Sequence, residues 1–109
     1  MPRDETEAAY FALLRAREDL DALRRYSDFL LAESQRLRRT TSEGEALAGQ
    51  VDPRLLRNLR HTDRPLADAV KARLAVIEEE RTALRDRIPA AEAYVEECER
   101  EHAELRRRA

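Results

Sequence analysis

Tryptophan is absent, cysteine and methionine occur once each, and only two glycines are spread through 109 residues. Aromatic side chains contribute 5%. Each shortage removes a class of protein. A single thiol, Cys98, closes no intrachain disulfide, which suits a reducing compartment. Few large apolar residues argue against a compact globule with a broad core. No apolar run approaches the ~18 residues that a membrane span requires. The start, MPRDETEAAY, is polar and acidic rather than a basic leader followed by an apolar stretch. A cytoplasmic location without membrane contact is the expectation. With so little glycine there is no phosphate-binding loop, nucleophile elbow or dinucleotide motif. The expectation is therefore a non-catalytic protein without a cofactor.

What the chain does have is charge, 40% of its residues, together with abundant Ala, Leu, Glu and Arg. That composition belongs to long helices and coiled coils. From Asp4 to about Arg39 no Gly or Pro interrupts the chain. One heptad position carries Leu13, Leu20, Ser27 and Ser34; the other carries Ala9, Ala16, Leu23, Leu30 and Leu37. The segment TTSEGEALAG, residues 40–49, holds both glycines and predicts an interruption. Ser42 and Glu45 have capping-box spacing. Asp52-Pro53 reads as an N-cap followed by proline at the first helical position, predicting a short helix over 53–61 with Leu55, Leu56 and Leu59 inward. Thr62 to Pro65 predicts a further break.

Beyond Pro65 the series Val70, Leu74, Ile77, Arg81, Leu84, Ile88, Ala91, Val95, Cys98, His102 and Leu105 advances alternately by four and three. Its phase is the same on both sides of Pro89. A loop there would have no reason to keep the count, so one helix over 65–107, bent at Pro89, is predicted. The proline costs about 3 kcal/mol, because it removes a backbone donor and crowds the preceding turn.

The fold class expected is all-α. A long antiparallel helical hairpin, with a short helical connector, forms one domain over 1–109. One register pairs Leu37 with Ala67, Leu30 with Leu74, Leu20 with Leu84 and Leu13 with Ala91. It brings Glu33 towards Arg73, and Arg24 towards Arg85. A lone hairpin buries little surface. Phe11 and Phe29, five helical turns apart with Ala22 between, project away from the seam. Val76, Ala83 and Ala90 mark a corresponding stripe on the last helix. These six residues form the expected interaction face, through which two hairpins would associate as a four-helix homodimer or bind another protein.

Charge is uneven. Nine basic and five acidic residues lie between Arg36 and Arg73, a net of +4 against −2 for the chain, so the remainder carries −6. Arg36, Arg38, Arg39, Arg54, Arg57, Arg60 and Arg64 make the connector end a basic tip. It suits a charge-matched protein surface; nucleic acid is disfavoured, because no aromatics interleave with the arginines. Arg24, Ser27, Ser34, Arg73, Arg81 and Arg85 could line a seam pocket for a small, nucleotide-like anion. Cys98, Glu99 and His102 have ligand-like spacing, but a seam cysteine and a terminal histidine explain them without a metal. The function expected is a helical protein–protein interaction module, an adaptor or regulator for which transcription machinery is one suitable target. An anion sensor and a nucleic-acid binder are the alternatives.

Overall fold

A computed structural model describes residues 2–108, with the side chains from Asp4 onward. It contains two helices, α1 over Pro2–Ala48 and α2 over Pro53–Arg108. Among the described residues there is no strand. The hairpin class expected from the heptads is therefore the observed one. Neither helix is long and apolar enough to cross a membrane.

The joint is much shorter than the sequence predicts. Rather than ending near Arg39, α1 continues to Ala48. Thr40 and Thr41 do not leave the helix: their hydroxyls donate to the carbonyls of Arg36 and Leu37, both at 3.0 Å. Gly44 is interior to α1, where glycine costs only about 1 kcal/mol relative to alanine. Ser42 and Glu45 also lie inside the helix and do not cap it. The reversal occupies Gly49 to Asp52. Gly49 N donates to Glu45 O at 3.2 Å, and Gln50 N to Leu47 O at 3.0 Å.

Asp52 starts α2 as expected. Its Oδ1 accepts from Arg54 N at 2.9 Å, and its carbonyl accepts from Leu56 N at 2.8 Å. Pro53 occupies the first helical position, where its missing N–H costs nothing. The break expected at Thr62–Pro65 does not occur, so the predicted helices over 53–61 and 65–107 are one. Thr62 donates back to Asn58 O at 3.2 Å. Every residue from 57 to 69 is exposed, so water can reach the carbonyl that the Pro65 ring disconnects. The helix also runs through Pro89, as the retained phase predicts.

The seam follows the heptads. In α1, Leu13, Ala16, Leu20, Leu30 and Ser34 are buried, while Ala9, Leu23, Ser27 and Leu37 are half-buried. In α2, Ile77, Leu84, Val95 and Cys98 are buried, and the other members of the series from Val70 to Leu105 are half-buried. Packing divides into two units, Met1–Ser27 with Thr82–Ala109 (the terminal unit) and Asp28–Arg81 (the turn unit).

In the terminal unit, Leu13, Ala16, Leu20, Val95 and Cys98 form the core, with Ile88 and Ala91 packed against it. Arg17 reaches Glu99 at 3.3 Å and Arg24 reaches Glu92 at 3.8 Å, so the helices are antiparallel. The Arg24–Glu92 ion pair is one the sequence did not anticipate, while Leu13 and Ala91, expected to face each other, belong to the same packed group.

In the turn unit, Leu30 and Ile77 are the most deeply buried side chains, at 0% and 1% exposure. Ser34 is buried beside this seam, and no buried side-chain nitrogen or oxygen among the described residues lacks a partner. The expected approach of Glu33 to Arg73 is present here.

Candidate interaction surfaces

The seam saturates the inner face of each helix and leaves a second apolar set outside. In the terminal unit, Phe11, Ala22, Ala83 and Ala90 are all exposed; in the turn unit so are Phe29 and Val76. Phe11 keeps 61% of its surface in contact with solvent, Phe29 52% and Val76 45%. A phenylalanine placed outward gains nothing for folding, since its ring stays hydrated in both states.

Tyr10 lies beside Phe11, with ring centroids 5.7 Å apart in an edge-to-face arrangement, and beside His102 at 5.6 Å. With Thr6, Glu7 and Arg106 these rings border an open cleft of ≈ 500 Å³. The periodicity pointed to Phe11 but missed this cleft, because Tyr10 sits one residue off the repeat.

The basic tip lies wholly within the turn unit, and all seven arginines of that cluster are exposed. Arg57, Arg60 and Arg64 border a shallow cleft along α2 with His61, Asp63 and Ala67. Among the described residues none of these three arginines has an ion-pair partner. On the opposite side of this helix segment, leucines depart from their expected placement. Leu55 and Leu59, expected inside, are exposed, as are Leu47 and Leu66; only Leu56 is half-buried. The signal was available. Counted backwards from Val70, the four-three series falls on Ala67, Asp63, Arg60 and Leu56, leaving Leu55, Leu59 and Leu66 off the seam.

The residues read as an anion pocket are placed differently. In the terminal unit Arg24 is engaged by Glu92, while Ser27 is half-buried. In the turn unit Arg73 binds both oxygens of Glu33, and Arg81 approaches Glu78 of its own helix at 3.8 Å. Ser34 is buried and Arg85 is exposed. None of the six borders either cleft described above.

Cys98, Glu99 and His102 point to separate tasks. Cys98 belongs to the core, Glu99 pairs with Arg17, and His102 lies against Tyr10. Among the described residues no group of three or more potential ligands converges. The exposed phenol of Tyr94 is one helical turn from Cys98, and hydrogen bonding and charge interaction with that side chain, then desolvation and the carboxylates of Glu97 and Glu101, push its pKa up. No family model matches the chain, and neither a curated protein nor a solved structure matches it.

Proposed function

We propose that this chain is a non-catalytic helical interaction module, a cytoplasmic adaptor or regulator that self-associates and presents its outer helix faces to another protein. The observation that carries this reading is the exposure of Phe11, Phe29 and Val76 while the seam has its own complete set of apolar residues. Large apolar groups outside a satisfied core are the usual material of protein interfaces. A lone cysteine kept as a buried thiol fits a reducing compartment.

The test is to replace both outward rings, Phe11→Asp with Phe29→Asp, and to follow mass by light scattering over a range of concentrations. The helical content should be unchanged, and association should be lost. A wild-type chain that is monomeric throughout, or a variant that associates as well as the wild type, rejects this face.

A further inference from the structure

We infer that the leucine-bearing side of the turn unit is the surface on which a second copy of this chain pairs, like side against like side across a twofold axis. The inference rests on the self-association proposed above and centres it on the leucines beside the turn.

An ion pair defines this side. Arg73 binds both oxygens of Glu33, so the two residues flank the seam on one side of the turn unit. A step of seven residues returns to nearly the same helix position, drifting by only ~20°. From Glu33 such steps along α1 reach Thr40 and Leu47; from Arg73, backwards along α2, they reach Leu66 and Leu59. Just outside these on α2 run Leu55, Thr62, Ala69 and Val76, again seven apart and uncharged. All eight residues beyond the ion pair are exposed, and one packed unit carries them all.

The surface they make is large enough to matter. Leu47, Leu55, Leu59, Leu66 and Val76 are 64%, 53%, 40%, 65% and 45% exposed. Over side chains of this size that is roughly 450 Å² of apolar surface, in the range of patches that serve a function. A standard interface buries about 800 Å² on each partner, a little over half of it apolar. This side therefore holds about the apolar share that one stable contact needs. The threonines do not interrupt it. Thr40 donates to Arg36 O at 3.0 Å and Thr62 to Asn58 O at 3.2 Å, so neither hydroxyl requires an acceptor from a partner.

Charge selects the occupant. Glu33 is answered by Arg73 within the chain, and at the outer edge of α1 Arg36 is followed one heptad on by Glu43. A side whose charges cancel can meet its own copy, whereas a basic or acidic one would set like against like. A lipid surface would draw on arginines as well as leucines, but Arg57, Arg60 and Arg64 stand on the opposite side of α2.

Two full-length variants test the pairing, one with Leu59→Glu and Leu66→Glu, the other with Leu59→Arg and Leu66→Arg. Circular dichroism should show both still helical, since the altered positions are exposed and Glu and Arg are good helix formers. Each alone should self-associate at least about ten-fold more weakly than the wild type by sedimentation equilibrium, because like charges then meet across the axis. Mixed one to one, they should associate again. That recovery requires the same side of both copies to meet, and it separates a lost contact from a damaged fold.

Association unchanged in both variants, or lost in both and not recovered on mixing, overturns the inference. If both variants associate normally while Phe11→Asp with Phe29→Asp does not, the proposed function stands without this contact. A wild-type chain that remains monomeric defeats both. A monomer that co-sediments with phosphatidylserine vesicles, and ceases to when Leu59 and Leu66 are changed to Glu, assigns this side to a lipid surface instead.

Discussion

Arg73 grips Glu33 with two hydrogen bonds, Nε to Oε1 at 2.8 Å and Nη2 to Oε2 at 3.0 Å, joining α2 to α1 in the turn unit. The paired geometry fixes orientation as well as distance, which a single surface ion pair does not. It lowers the Glu33 pKa below its ordinary value of 4.5, first through the hydrogen bond and then against the opposing effect of desolvation.

A lowered carboxylate pKa sets the sign of the pH dependence. Folding is favoured by this pair above the ordinary value, and that contribution is lost as the pH falls through the lowered one. Glu33→Gln should therefore melt below the wild type at neutral pH, with the gap closing in acid. Melting curves recorded by circular dichroism from neutral pH down to below 4.5 check this. A gap of constant size would mean that the carboxylate charge is not its source.

Gly44 lies inside α1, and a methyl group added there meets nothing within 4 Å. Gly44→Ala should stabilise the protein by roughly 0.5–1 kcal/mol through the restricted unfolded chain and better helix propensity. Urea denaturation measures it. A loss of stability would show that α1 does not pass through this position.

Ile77 and Leu66 are both large aliphatic residues of α2 with opposite surroundings. Ile77 is 1% exposed and Leu66 65%. Ile77→Ala should cost about 2–4 kcal/mol, whereas Leu66→Ala should change folding stability by no more than about 0.5 kcal/mol. Comparable losses from both would mean that the seam is drawn on the wrong side of α2.

The register of the terminal unit is open to a double-mutant cycle. Arg24 and Glu92 are each about half exposed, so their coupling should be modest, on the order of 0.2–1 kcal/mol. No coupling at all would mean that these two side chains do not meet in solution.

The series from Val70 to Leu105 made α2 readable, including its passage through Pro89. Asp52-Pro53 marked its start just as plainly. Both signals are local: a four-three spacing concerns one helix face, and a cap concerns a few adjacent residues. The connector was misread for the same reason. Thr40, Thr41 and Thr62 are turn-formers by habit, but here each bonds to a carbonyl four residues back, and the helix absorbs it. Of the surfaces, Phe11, Phe29 and the arginines were visible as residues that the seam does not use. Leu55, Leu59 and Leu66 were legible in the same way, because the four-three series counted back from Val70 leaves all three off the seam.

Chain order alone was enough to specify two amphipathic helices, their inner faces and the uneven charge along them. It could not specify how far one helix slides along the other, because a heptad repeat looks the same after every seven residues. Side chains from both helices settled that point, by placing Arg24 against Glu92 and Arg73 against Glu33. The same packing left Phe11, Phe29, Leu55, Leu59 and Leu66 exposed, because a two-helix seam covers only one face of each helix.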